Sequence, residues 1–218
     1  MAKRPNVADV HRSVVCISRV TGSGGEDVGR LVAAKLDVRY LDDEIIARAA
    51  AKGGVSPADV ADAEQRKSLL SRVLSELGSG HAAEGWAVTG IAPPVSGYES
   101  SPALLQSLIV DVVHEVAGRG DIVIAAHGAS FALGGRSDVL RVHVAASPET
   151  RAGRLAESGE LTSKAAQKQI RESDRSRADY LRRFYGIESE LPTHYDLVVN
   201  TDTMSYEDAA QLVALTAR

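Results

Sequence analysis

The feature that most constrains this chain is a short strand that leads directly into a glycine-rich turn and then into a helix. Residues 14–18, Val-Val-Cys-Ile-Ser, form an apolar, β-branched run, which predicts a strand buried on both faces. Glycines interrupt residues 21–25, and helical periodicity begins at Glu26. Such a turn can gather backbone N–H groups at a helix N-terminus, where the helix dipole favours an anion. A tight turn without a ligand is the alternative.

The alternation of strand and helix continues along the chain. Short apolar runs predict further strands at residues 38–41, 122–126, 140–146 and 195–200. Helical patterns cover residues 26–36, 44–51, 56–77, 102–117, 148–157, 162–185 and 205–217. Strands that alternate with helices predict a parallel α/β sheet with right-handed crossovers.

Two segments lack such a pattern. Residues 1–12 are mostly polar and predict a flexible leader. Residues 78–101 contain several glycines and prolines without a sustained period, which predicts a long loop. Loops of that length inside compact domains are usually functional or disordered.

Composition narrows the class of protein. The 218 residues include 25 Lys and Arg against 29 Asp and Glu, a net charge of −4, so bulk positive charge for binding nucleic acid is missing. The single cysteine, Cys16, forms no internal disulfide and lies in a predicted buried strand, which fits a core residue in a reducing compartment. We find neither a signal peptide nor an apolar run of about 18 residues. We therefore expect a cytoplasmic protein that binds neither nucleic acid nor membrane, in an oligomeric state that the sequence leaves open.

Five segments, taken in order, carry a resemblance to a known family. They are Val-Cys-Ile-Ser-Arg-Val-Thr-Gly-Ser-Gly-Gly at 15–25, Val-Arg-Tyr-Leu-Asp-Asp-Glu-Ile-Ile at 38–46, Val-His-Val-Ala-Ala-Ser-Pro-Glu-Thr-Arg-Ala-Gly-Arg at 142–154, Ile-Arg-Glu-Ser-Asp-Arg-Ser-Arg at 170–177 and Tyr-Asp-Leu-Val-Val-Asn-Thr-Asp at 195–202. Together they resemble the cytidylate kinase-like family of P-loop proteins.

The resemblance implies a three-layer P-loop kinase-like α/β fold, in which a five-stranded parallel sheet has helices on both faces. One domain would span residues 13–218, with an acceptor-binding insertion at about 52–101 and a lid at about 158–185. The implied activity is Mg²⁺-assisted phosphoryl transfer from ATP to a nucleoside monophosphate of the cytidylate type, or to a related small acceptor.

The resemblance also implies three groups of site residues. Those expected to bind ATP lie in the glycine-rich turn or face it: Arg19, Gly22, Ser23, Gly24, Gly25 and Arg154, with Arg151 as a further arginine near the adenine or the lid hinge. Those expected to act in catalysis lie on the lid helix: Arg171, Asp174, Arg175 and Arg177, with Asp174 orienting an arginine. Those expected near the acceptor follow strands: Asp42, Asp43 and His127.

The glycine-rich turn departs from the P-loop motif Gly-x-x-x-x-Gly-Lys-Ser/Thr, whose lysine binds the β- and γ-phosphates and whose hydroxyl binds Mg²⁺. With Gly24 as the second glycine, the lysine position holds Gly25 and the hydroxyl position holds Glu26, while Arg19 stands at the first glycine. Losing the lysine removes a cation that stabilises the transferred charge. Arg19 could replace it by reaching over the loop.

The alternative function is a catalytically impaired nucleotide-binding sensor or scaffold, and a non-nucleotide acceptor is a third hypothesis.

The residue after the third strand departs as well. The family tends to place an arginine there on the acceptor phosphate, whereas this chain has His127, and a neutral histidine binds phosphate less well. His127 is either a ligand-facing residue or a structural histidine. Similarly, the lid arginines are either phosphate ligands or part of an exposed helix with ion pairs one turn apart. Asp43 fits a helix N-cap better than Asp42 does. The spacing of the six histidines predicts no zinc site.

Overall fold

Five parallel strands form the central layer of the fold. In the computed structural model, which describes residues 12–65, 101–125, 127–159 and 161–218, they are β1 (Val14–Arg19), β2 (Arg39–Leu41), β3 (Ile122–Ala125), β4 (Val139–Ala145) and β5 (Leu197–Asn200). Their order across the sheet is β2-β3-β1-β4-β5, and every neighbouring pair is parallel. The predicted five-stranded parallel sheet is therefore confirmed.

The described residues contain eight α-helices: α1 (Gly25–Leu36), α2 (Glu44–Gly53), α3 (Pro57–Gln65), α4 (Pro102–Ala117), α5 (Ala129–Ala132), α6 (Pro148–Glu157), α7 (Ser163–Tyr185) and α8 (Tyr206–Ala217). A 3-10 turn covers Pro192–His194. The sequence did not predict α5, because four residues are too few to show a helical period. The leader up to residue 11, the predicted helix beyond Gln65 and most of the predicted loop, at 78–100, lie outside the described residues.

Helices cover both faces of the sheet. Alternate residues of β1 point to opposite sides, so Val14 and Cys16 pack with α2 and α4, while Val15 and Ile17 pack with α1 and α8. Burial raises the pKa of the Cys16 thiol to about 12, which agrees with a core residue. Because both faces are buried, β1 reads as a continuous apolar run and its C-terminal end has a fixed position beneath the glycine-rich turn.

Side-chain caps set the start of the helices that carry the candidate arginines. Ser147 accepts a hydrogen bond from the Thr150 N–H at 3.3 Å at the start of α6, and Thr162 accepts one from the Ala165 N–H at 3.3 Å at the start of α7. The two helices pack together through small and apolar side chains such as Ala152. Within the described ranges, no helix is long and apolar enough to cross a membrane.

Candidate functional site

The turn between β1 and α1 requires glycine at two positions. Gly22 and Gly24 have φ angles of +79° and +74°, a left-handed region that other residues rarely adopt. A Cβ on Gly22 would lie 2.8 Å from the carbonyl oxygen of Arg151, and one on Gly24 would lie 2.3 Å from the ring of Tyr206. The turn is therefore packed tightly against α6 and α8, which hold its backbone in place.

Unsatisfied polar groups converge at this turn. The Ser23 side chain is fully buried, and its Oγ has no hydrogen-bond partner within the described part of the chain. Gly24, the N-cap of α1, provides no side-chain cap for the first N–H groups of the helix. A buried hydroxyl without a partner costs roughly 1–3 kcal/mol. The uncapped N–H groups at the start of α1 are the donors that an anion at this turn could use.

Arg151 joins the turn to α7. Its side chain is 4% exposed and forms an ion pair with Asp174, in which two nitrogens donate to the two carboxylate oxygens at 3.1 and 2.6 Å. Its Nε donates to the main-chain carbonyl of Thr21 at 2.7 Å. The arginine that Asp174 orients is therefore Arg151, whose guanidinium is engaged by these contacts within the described part of the fold.

The side chain of Arg154 also contacts the backbone of the turn. Its guanidinium donates to the carbonyl of Gly22 at 3.2 Å and to the carbonyl of Thr201 at 2.5 Å, and it lies 5.2 Å over the ring of Tyr206. In this conformation the side chain ties the turn to the segment after β5.

Arg177 is held by a carboxylate. Two of its nitrogens donate to the two oxygens of Glu190 at 2.8 and 2.6 Å, and Nη2 also donates to Ser18 Oγ at 2.7 Å. The hydroxyl of Tyr195 donates to the same carboxylate. Burial alone would raise the pKa of Glu190, but the hydrogen bond and charge of Arg177, with the Tyr195 hydrogen bond, lower it to about 2. Glu190 is therefore ionised, and Arg177 is not available to a ligand in this arrangement.

Arg171 and Arg175 differ from the other arginines of the site. Both lie on α7 and are exposed, and neither has a hydrogen bond or ion pair among the described residues. Their charges are therefore available for a phosphate. Between them along the helix, Ser173 is hydrogen-bonded to Thr21 of the turn, with 2.6 Å between the two hydroxyl oxygens, so this part of α7 lies against the turn.

Asp42 lies at the end of β2 in a network with three neighbours. Its Oδ2 accepts from Arg19 Nη2 at 3.0 Å and from the Tyr40 hydroxyl at 3.1 Å. His127 Nε2 donates to the main-chain carbonyl of Asp42 at 3.0 Å and lies 3.4 Å from Oδ1. Burial alone would raise the pKa of Asp42, but the hydrogen bond from His127 and the charge of Arg19 lower it below its ordinary value. The structure thus brings together three of the predicted site residues.

His127 and Asp43 have different surroundings. His127 is buried and has a φ of +55°, which costs a residue other than glycine about 1–2 kcal/mol, and its bond to Asp42 helps to hold it there. Asp43 is exposed and stands at the N-cap position of α2, but its side chain makes no capping hydrogen bond. Of the two aspartates, only Asp42 belongs to the network around Arg19.

Two residues of the site were not predicted in their observed roles. The sequence predicts Arg151 only as an arginine near the adenine or the lid hinge, and it does not single out Glu190. Arg151 pairs with Asp174 and Glu190 pairs with Arg177. Both partners lie on α7, whereas Arg151 and Glu190 lie outside it. The basic character of 171–183 indicated that carboxylate partners should exist, but it did not indicate which ones.

The sheet order, the glycine-rich turn after β1 and the helices on both faces define an α/β protein with a P-loop kinase fold. The sequence profile of the cytidylate kinase-like family matches residues 14–203, and the chain therefore belongs to that family. A curated protein from Sulfolobus acidocaldarius named cytidylate kinase is 22% identical to it over 199 residues, covering 91% of each chain.

Solved structures share the fold. An uncharacterized protein from Eubacterium ventriosum superposes with a TM-score of 0.62 at 14% identity, covering 94% of this chain and 97% of that one. Shikimate kinase from Bacteroides thetaiotaomicron superposes with a TM-score of 0.50 at 16% identity, covering 92% and 95%. Family and fold together indicate a phosphotransfer function.

Proposed function

We propose that the protein transfers the γ-phosphoryl group of ATP to a small acceptor, with a nucleoside monophosphate of the cytidylate type as the first candidate. The observation that carries the proposal is the glycine-rich turn, where the uncapped start of α1 leaves N–H donors for phosphate oxygens. Membership in the cytidylate kinase-like family supports this nucleotide.

In the proposed reaction, the bond between the γ-phosphorus and its bridging oxygen to the β-phosphate breaks. A new bond forms from the γ-phosphorus to a phosphate oxygen of the acceptor, and ADP leaves. The backbone of the turn orients the donor phosphates. Arg171 and Arg175, exposed on α7, would neutralise charge on the group in transfer, since catalysis of this kind depends on positioning and charge compensation.

Mg²⁺ supplies further charge neutralisation when it is bound with ATP. Among the residues that the structure describes, no three His, Cys, Asp or Glu are grouped to hold a metal ion. Mg²⁺ in such sites is bound largely by phosphates and water, with one or two carboxylates from the protein. Asp42 is the carboxylate that the resemblance places near the acceptor, and its Oδ1, which lies 3.4 Å from His127 Nε2, would be the oxygen that accepts a hydrogen bond from a metal-bound water.

The test is a phosphoryl-transfer assay with ATP and a panel of nucleoside monophosphates. The variant is Arg171→Ala with Arg175→Ala, and the control is Lys164→Ala with Lys168→Ala, which removes two exposed charges from the same helix. We expect kcat/KM to fall on the order of 100-fold in the arginine variant and to stay within about twofold in the control. ATP binding without turnover of any acceptor would contradict the catalytic proposal.

A second candidate function is a nucleotide-binding sensor or scaffold without catalysis. Gly25 and Glu26, which stand where a P-loop has its lysine and hydroxyl, favour it. Calorimetry that shows ATP binding, together with no turnover and with a protein partner retained in only one nucleotide state, would support it. Hydroxyl-bearing small molecules belong in the same acceptor panel, because a non-nucleotide acceptor would give turnover there alone.

A further inference from the structure

Arg19 and a side chain at position 25 compete for one space. Arg19 is the last residue of β1, and its stem lies across Gly25 at the start of α1. A Cβ on Gly25 would come within 2.4 Å of the Arg19 Cβ and 3.3 Å of its Cδ. Two carbon atoms that are not bonded do not approach to 2.4 Å, so a lysine at position 25 is incompatible with this placement of Arg19.

The guanidinium of Arg19 is fixed but not fully satisfied. Its Nη2 donates to Asp42, and the side chain keeps 28% of its surface exposed. The Nε is buried and has no hydrogen-bond partner in the described ranges. Arginine has five N–H donors in a rigid plane, and a buried donor that lacks an acceptor is costly. The bond to Asp42 uses one of these donors, and the exposed part of the side chain is open to a further acceptor group.

We propose that Arg19 provides the cation for the β- and γ-phosphates of ATP in place of the missing lysine, and that position 25 is glycine to make room for Arg19. This inference rests on the proposed function, since it names the charge that the ATP site uses. It also gives roles to the neighbours: Asp42 orients Arg19 through the ion pair, and the hydroxyl of Tyr40 holds Asp42. Asp42 is therefore a positioning residue.

The chemistry of arginine suits this exchange. Its guanidinium remains charged at every physiological pH, and its planar fork binds two oxygens at once. Because the stem packs on Gly25 and the fork is held by Asp42, little reorganisation is needed when phosphate binds. Preorganised charge of this kind is what a phosphoryl-transfer site requires.

The experiment compares the affinities of the full-length protein for AMP and for an ATP analogue with a non-hydrolysable β–γ bridge, measured by calorimetry. Arg19→Gln keeps the stem on Gly25 but removes the charge, and Gly25→Lys adds a lysine where Arg19 lies. The double variant Arg19→Gly, Gly25→Lys restores the spacing of the ordinary motif. Arg48→Gln is the control, since Arg48 lies on α2 in an ion pair with Glu44.

We expect Arg19→Gln to bind the ATP analogue about 10- to 100-fold more weakly, as the loss of a charged hydrogen bond implies, while its AMP affinity stays within about twofold of the original. Gly25→Lys alone should also bind the analogue weakly, because the two side chains cannot share the space. The double variant should bind it at least about fivefold better than Gly25→Lys. Arg48→Gln should bind both ligands normally.

Two results would overturn the inference. One is an Arg19→Gln protein that binds the ATP analogue as tightly as the unmodified protein. The other is a double variant that is folded, as judged by its urea unfolding curve, yet binds no better than Gly25→Lys. Failure of the unmodified protein to bind the analogue at all would instead defeat the proposed function, so the two failures are distinguishable.

Discussion

At the scale of single residues, the arginines of the site divide by what already holds them. Arg151 and Arg154 donate to the backbone of the turn, and Arg177 is paired with Glu190. Arg171 and Arg175 have no such contacts within the described part of the chain. Arginines in one region therefore differ in their roles: Arg151 and Arg154 hold the glycine-rich turn, Arg177 holds Glu190, and Arg171 and Arg175 remain available to a ligand.

The ion pair of Arg177 with Glu190 makes stability depend on pH. Because the folded-state pKa of Glu190 is about 2, below its ordinary value of 4.5, the contribution of this carboxylate is complete above about pH 4.5 and disappears as the pH falls toward 2. Each pKa unit corresponds to about 1.4 kcal/mol. At pH 7, Glu190→Gln should therefore lower the free energy of unfolding by as much as about 3 kcal/mol.

Urea unfolding at a series of pH values measures this contribution. The difference between the unmodified protein and Glu190→Gln should shrink as the pH falls from about 4.5 to 2. Glu188→Gln is the control, because Glu188 is exposed two residues away, and we expect it to change stability by less than about 0.5 kcal/mol. A difference that stayed constant across this pH range would show that Glu190 does not stabilise the fold through its charge.

At the scale of elements, the glycine-rich turn depends on packing from helices that come much later in the chain. Tyr206 at the start of α8 lies against Gly24, and the backbone of Arg151 in α6 lies against Gly22. The turn is thus a rigid part of the fold. A phosphate-binding loop needs this property, because its N–H groups act only when they are held in one direction.

Two glycine-to-alanine changes, which we expect to change the free energy of unfolding in opposite directions, test how tightly the turn is packed. Gly24→Ala should lower the free energy of unfolding by about 2 kcal/mol, since its φ is positive and a methyl group would meet the Tyr206 ring. Gly153 lies inside α6 with nothing within 4 Å of its added Cβ, so Gly153→Ala should raise stability by about 0.5–1 kcal/mol. Urea unfolding measures both. Equal effects would mean that the turn is not held as described.

At the scale of the whole molecule, the turn and α7 are joined through Arg151 and through the contact between Thr21 and Ser173. A ligand on the turn should therefore stabilise the entire protein. An ATP analogue at about 100 times its dissociation constant should raise the free energy of unfolding by about 2.7 kcal/mol. Hydrogen exchange should also slow at residues 20–25 and within α7. Protection of the turn alone would contradict the coupling.

Most of the sheet could be predicted from the sequence, because the strands lie in short runs rich in apolar and β-branched residues. The run at 14–18 and the strand β1 differ by one residue. The short helix α5 was missed, since His127 and Gly128 before it have φ angles of +55° and +64°. Such a backbone turn depends on its surroundings, and no local pattern shows it.

The site was less predictable than the fold. The glycine-rich turn and the arginines of α7 could be located, because their residue types are unusual and ordered along the chain. Which arginines are paired could not, since the choice of Asp174 for Arg151 depends on how α6 and α7 pack. The steric conflict between Arg19 and a side chain at position 25 could not be predicted either. It depends on a distance of 2.4 Å between two Cβ positions, which the spacing of residues along a sequence does not show.

The position of β1 in the sheet has a consequence for how the protein is made. β1 is the first of the described strands, yet it pairs with β3 and β4, as in the pairs of Val14 with Ile122 and with Val139. During synthesis, an apolar strand therefore leaves the ribosome long before either neighbour exists. Contacts this distant in sequence slow folding and leave apolar segments exposed to aggregation. Among the described strands, the one beneath the glycine-rich turn therefore waits longest for its partners.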